Sequence, residues 1–143
     1  MELYAHWIYG LHPSDEMILG YISPENMFFS ELDGKIASAV AVVSRQEKEY
    51  HDVPWWKMNP ADDEVSVVHI LCVAPEFQKK GIAARTMRAV IEMSRESGKK
   101  AVHLDALKCN TPARRLYESL GFSPAAERNW HTENAGQTDF VLY

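Results

Sequence analysis

Two spacings of apolar residues alternate along this chain. Met27 to Leu32 and Lys35 to Val43 are strand-like runs joined by Asp33-Gly34. Glycine accepts the positive φ of a tight turn, so Asp-Gly between two such runs predicts a β-hairpin. The second run is apolar on both faces from Ile36 to Val43, the pattern of a buried central strand. Val65 to Val73 predicts a third strand, rich in β-branched residues and stopped by Pro75. From Ile82 to about Ser97 the spacing becomes helical. Ala83, Met87, Val90, Ile91 and Ser94 share a stripe, and Gly98 ends the helix. Lys100 to Leu107 returns to alternation through Val102, Leu104 and Ala106. A second helix is predicted from Pro112 to about Leu120, striped by Ala113, Leu116, Tyr117 and Leu120. Thr111 is placed as its N-cap and Gly121 as its stop. The stretch from about Pro124 to Tyr143 reads as two strands around Glu133-Asn134-Ala135-Gly136.

Two stretches resist this reading. Leu3, Ala5, Trp7 and Tyr9 alternate as a strand would, while Ser14 is a plausible N-cap for a helix to about Ile22 with Met17, Ile18, Tyr21 and Ile22 on one face. Residues 44–64 keep no period; they hold Pro54, Pro60, the pair Trp55-Trp56, and three basic against six acidic residues. A loop this long in a small domain is either functional or disordered.

Strand, helix, strand and helix in the middle, with hairpins at both ends, imply a mixed α/β sheet. The 143 residues make one domain, residues 1–143, with no internal repeat and no linker. Fifteen Lys and Arg against 20 Asp and Glu leave a net charge of −5, which argues against nucleic acid as a partner. No apolar run is long enough to span a membrane. The start has no basic segment followed by an apolar one, so it does not read as a signal peptide. Cys72 and Cys109 form no disulfide framework, and two lone thiols fit a reducing cytoplasm. No His/Cys cluster has metal-ligand spacing, so no metal is expected.

Two segments carry chemistry. In Leu71-Cys72-Val73-Ala74-Pro75-Glu76-Phe77-Gln78-Lys79-Lys80-Gly81-Ile82-Ala83 a buried strand ends and a helix begins at a glycine. Free N–H groups at a helix start bind phosphate, and small side chains at Gly81, Ala83 and Ala84 let a ligand approach the main chain. Lys79, Lys80 and Arg85 add positive charge, although an ordinary strand–helix turn with solvated lysines has the same local pattern. The second segment runs from Asn110 to Phe122. There Tyr117 shares the apolar stripe, the position of a core residue as much as of a proton donor, and Arg114 and Glu118 form an (i, i+4) pair.

In this order and separation, the two segments resemble the GNAT superfamily of N-acetyltransferases. Gln78-x-x-Gly81-Ile82-Ala83 looks like the family's pyrophosphate loop, with Ala83 where a second glycine is usual. Asn110-x-x-Ala113-x-x-Leu116-Tyr117-Glu118-x-x-Gly121-Phe122 looks like its second signature. The resemblance covers roughly residues 27–143 and implies a mixed, mostly antiparallel sheet flanked by helices. It also implies acetyl-CoA as co-substrate. The pantetheine arm would lie along Leu71-Cys72-Val73 and the pyrophosphate on Gln78, Lys79, Lys80, Gly81, Ile82, Ala83 and Ala84. Asn110 would contact the cofactor. Tyr117, protonated at neutral pH, would face its sulfur and protonate the departing thiolate.

The acceptor implied is a primary amine, which needs a base because an ammonium cannot attack. Asp105, on the strand between the signatures, is the first candidate and Glu64 the second. His69 and His103 are usable bases by their ordinary pKa. A ping-pong route through a cysteine is a minor alternative. Trp55, Trp56 and His69 are the candidate substrate contacts, the tryptophans because an acidic aromatic loop suits a cationic amine. The main rival is a domain that binds acetyl-CoA as a sensor and catalyses nothing. A typical family member carries a first strand and two helices before the hairpin, so the 26 residues here imply a first strand and helix shortened or missing. An unpaired sheet edge of that kind invites a homodimer.

Overall fold

In the computed structural model, which describes residues 2–55 and 59–143, the hairpin lies where the alternation puts it. Strand β1 (Met27–Leu32) pairs antiparallel with β2 (Lys35–Val43), and Leu32 faces Lys35 across the turn. Asp33 and Gly34 both have positive φ, 53° and 73°, the backbone that a two-residue turn needs to match the strand twist. The remaining strands are β3 (Val65–Val73), β4 (Ala101–Leu107), β5 (Ala126–Thr132) and β6 (Gly136–Leu142). They form one six-stranded sheet in the order β1-β2-β3-β4-β6-β5. Every pairing is antiparallel except β3 with β4. The sheet is thus mixed and mostly antiparallel, as expected.

Among the described residues four α-helical segments accompany it: α1 (Glu2–Ala5), α2 (Asp15–Ile22), α3 (Ile82–Glu96) and α4 (Thr111–Ser119). The alternating start is not a strand. Its first residues make the single turn α1, followed by an isolated bridge between Ile8 and His12. Ser14 caps α2, its Oγ accepting from the Met17 N–H at 3.2 Å. The expected apolar stripe of α2 is not buried: Met17, Ile18 and Tyr21 are half-buried and Ile22 is exposed. For α4 the cap is Asn110, not Thr111; its side chain accepts from the Ala113 N–H at 3.2 Å and Thr111 is already helical. The described residues contain no strand before β1, which is an edge strand with Phe29 exposed, as is Ile36 of β2.

The two faces of the sheet are covered differently. Met87 and Val90 of α3 and Tyr117 of α4 pack on Val40, Val42, Val68, Leu104, Ala106 and Val141. Each large side chain buried there contributes about 1.5–3 kcal/mol. The opposite face is covered by described residues of the aperiodic stretch, Tyr50, Val53 and Trp55. Tyr50 and Val53 are buried on Val65, Val67 and Leu142, with Trp55, Trp130 and Phe140 packed around them. No helix of the described residues is long and apolar enough to cross a membrane.

One irregularity opens the sheet. β3 and β4 pair only over Val65–Val68 and Ala101–Leu104. Beyond that point β4 pairs with β6, from Asp105 opposite Leu142 onward. β3 stays with β2, but its register slips at Ile70, which takes φ 35°. A positive φ is strained for a β-branched residue, and a bulge of this kind bends a strand away from its neighbour. The outcome is a gap between His69–Val73 and Asp105–Leu107, with the β4-facing edge of β3 unpaired.

Candidate active site

The loop expected to take phosphate lies at one end of this gap. Gln78 Nε2 donates to the Val73 carbonyl at 3.1 Å, tying the loop to the end of β3. Phe77 and Ile82 are buried with Ala37 and anchor the loop from below. Gly81 is the N-cap of α3 with φ 75°, and no side chain caps the helix. The first turn of α3, Ile82, Ala83 and Ala84, therefore offers main-chain N–H groups without a capping acceptor. Lys79, Lys80 and Arg85 surround that turn, Lys80 with its ammonium 5.6 Å from the centre of the Phe77 ring.

α4 brings Tyr117 to the helix-covered side of the gap. The ring is buried, edge-on to Phe122 at 5.9 Å and tilted to Tyr143 at 6.0 Å. Among the described residues its hydroxyl has no hydrogen-bond partner, and none of their fully buried polar side-chain atoms lacks one. The hydroxyl is therefore not fully enclosed by the protein. Burial first, then the nearby Asp105 charge, pushes its pKa up to about 12. Asn110 spends its oxygen on the α4 cap, which leaves its side-chain N–H₂ without a partner among the described residues. The Arg114–Glu118 pair is more than surface charge. The Tyr143 hydroxyl donates to Glu118 at 2.8 Å and accepts from Arg114 at 3.1 Å, which ties α4 to the sheet.

The other side of the gap is polar. Asp105 accepts a hydrogen bond from the Tyr50 hydroxyl. Burial raises the Asp105 pKa, while the Tyr50 bond and the His69 charge oppose that rise. His69 Nε2 donates to Glu47 Oε1 at 2.7 Å, and the imidazole stacks on Tyr21 of α2 at 5.7 Å between ring centres. Glu47, Tyr50 and Tyr21 had no place in the sequence-based set. Their only trace was the acidic excess of residues 44–64 and the stripe of α2.

Other expected residues fall elsewhere. Glu64 stands before the first residue of β3, at the end opposite the gap, ion-paired to Lys100 at 2.6 Å. The Lys100 hydrogen bond holds its carboxyl below the usual range, which makes it a poor base. His103 Nδ1 donates to Gln46 at 2.6 Å, and burial lowers its pKa to about 4. Trp55 stacks on that imidazole at 3.6 Å and donates to the Tyr50 carbonyl at 3.2 Å, so it packs the sheet rather than lining the gap. Trp56 lies outside the described residues. Burial pushes the Cys72 thiol up against a weaker pull from the Ala39 main chain. A protonated thiol is a weak nucleophile, which disfavours a ping-pong route.

Residues 2–122 match the model of the acetyltransferase (GNAT) family. The chain belongs to the GNAT acetyltransferase family. It is 30% identical over 103 residues to mycothiol acetyltransferase of Thermomonospora curvata, covering 72% of this chain and 29% of that protein. Against the [ribosomal protein bS18]-alanine N-acetyltransferase of Escherichia coli it is 30% identical over 81 residues, covering 56% of this chain and 54% of the relative. The chain thus spans less than two-thirds of the length of these curated relatives. A GNAT family acetyltransferase from Elizabethkingia anophelis, solved with acetyl-CoA bound, superposes with a TM-score of 0.67 at 19% identity. That match covers 92% of this chain and 82% of the other. GNAT proteins use acetyl-CoA. The unpaired β3 edge and the uncapped, glycine-led start of α3 are features that fit its amide-bearing arm and its pyrophosphate.

Proposed function

We propose that the chain is an acetyl-CoA-dependent N-acetyltransferase that acts on a primary amine of a small molecule or peptide. The observation that carries this reading is the gap between β3 and β4. It has the unpartnered Tyr117 hydroxyl on one side and a carboxylate–imidazole cluster on the other.

Acetyl-CoA, when bound, supplies an acetyl thioester that an amine nitrogen can attack. Leu71, Cys72 and Val73 would hold its arm through their main chain, Gln78 to Ala84 its pyrophosphate, and Asn110 would contact it. Tyr117 keeps its proton at neutral pH, since burial favours the uncharged phenol. It therefore holds at Oη the proton that a departing thiolate requires. Asp105 and Glu47 give the opposite side a negative character that draws in an ammonium. The name of the bS18-alanine relative, with its amine acceptor, supports the same class of substrate.

A thermal-shift titration with acetyl-CoA, followed by a thiol-release assay over a panel of primary amines, tests the reading. A raised melting temperature with amine-dependent thiol release is expected. A raised melting temperature without release from any amine would replace the enzyme by a sensor. No shift at millimolar acetyl-CoA would remove both.

A further inference from the structure

We propose that His69, oriented by Glu47 and clamped by the Tyr21 ring, is the base that takes the proton from the acceptor amine. The assignment rests on the amine-acetyltransferase reading and names the group that reading leaves open.

His69 is the last residue of β3 before the slipped register at Ile70, where β3 has already lost β4 as a neighbour. It is thus the first residue of the unpaired β3 edge, and its ring lies within electrostatic reach of Asp105 on the β4 side. The Glu47 carboxylate can only accept, so the 2.7 Å contact fixes the proton on Nε2. Nδ1 then carries the lone pair, and it has no hydrogen-bond partner among the described residues. The stacked Tyr21 ring, 25° from parallel, limits rotation of the imidazole. The His69 side chain is 19% exposed and that of Glu47 39%, so the base is recessed while its partner reaches water. Asp105 is less suited, because Tyr50 already occupies one of its oxygens.

The step balances simply. One N–H bond of the substrate ammonium breaks, its electron pair stays on nitrogen as the nucleophile, and the proton moves to Nδ1. The imidazolium is held against the Glu47 carboxylate and returns its proton to water after acetyl transfer. Glu47 is thus a positioning residue. The titratable groups around His69 are Tyr21 of α2, Glu47 of the 44–64 stretch and Asp105 of β4, the last bonded to Tyr50. Burial works to lower the His69 pKa, whereas the Glu47 bond and charge, then the Asp105 charge, work to raise it. The balance lies above the ordinary value.

Two measurements test this. In the free protein, the His69 ring titration is followed by NMR in wild type and in Glu47→Gln. Removing the carboxylate leaves burial in charge, so the midpoint should fall; an unchanged midpoint overturns the pairing whatever the activity. Acetyl transfer is then compared for 1,4-diaminobutane, protonated at neutral pH, and hydroxylamine, which is already neutral. His69→Gln should lose about 10²–10⁴-fold with the diamine and little with hydroxylamine. Added imidazole should restore part of the diamine activity to His69→Gly. Equal losses with both acceptors, or no loss with either, would overturn the base assignment. If wild type binds acetyl-CoA yet acetylates neither acceptor, the enzyme reading itself is what fails.

Discussion

The two faces of the sheet are built on different principles. The helix-covered face is dry and uncharged: Val40, Val42, Val68, Met87, Val90, Leu104, Ala106 and Val141 meet there, the hydroxyl pairs Ser38–Thr86 and Ser66–Ser94 are buried beside them, and the tyrosines of the cluster are its only ionisable members. The loop-covered face holds Gln46, Glu47, Tyr50, His69, His103 and Asp105 in mutual hydrogen bonds. Apolar packing needs only shape and period. Buried polar groups need specific partners, because each one left unpaired costs free energy. One face therefore makes a scaffold that carries the glycine-led start of α3 and Tyr117, and the other gathers the charged groups that the proposed function assigns to the acceptor.

Substitutions can sharpen or break that division. Met87→Ala, on the dry face and fully buried, should lower stability by about 2–5 kcal/mol in urea denaturation. That loss should be independent of pH, since no charge is involved. Tyr50→Phe should cost about 1–3 kcal/mol, by removing the donor to a buried carboxylate. Here the pH dependence discriminates. The folded pKa of Asp105 is raised, so the folded state binds the extra proton between the unfolded and folded values, and stability falls as pH rises through that window. Without the Tyr50 hydroxyl the window widens upward. The loss should therefore be greatest at neutral pH and shrink in acid, where Asp105 is protonated in both states. A pH-independent loss would mean that Tyr50 acts by packing alone. The smallest effect is expected for Gly81→Ala. The added carbon meets nothing, but φ 75° strains it by about 1–2 kcal/mol, and acetyl-CoA binding should weaken with it.

The same division decided what was readable in advance. The dry face follows periodic apolar residues, so β1 to β6, α3 and the Tyr117 stripe were legible, as was the turn at Asp33-Gly34. The gap was not, because it depends on where β3 and β4 stop pairing and on a strained Ile70, and neither leaves a periodic signature. Glu47 and Tyr50 lie 22 and 55 residues from the side chains they bond. An aperiodic stretch gives no means of predicting such partners. Glu64 lies at the far end of β3 from the gap, and a strand-end position in sequence does not say which end faces the gap, nor that Lys100 is its partner.

The most direct test of the account is the comparison of wild type with Tyr117→Phe in two assays on the same preparations, acetyl-CoA thermal shift and amine-dependent thiol release. The account predicts an equal thermal shift and turnover lowered by about 10²–10⁴-fold in the variant. Equal turnover, with binding retained, would contradict it.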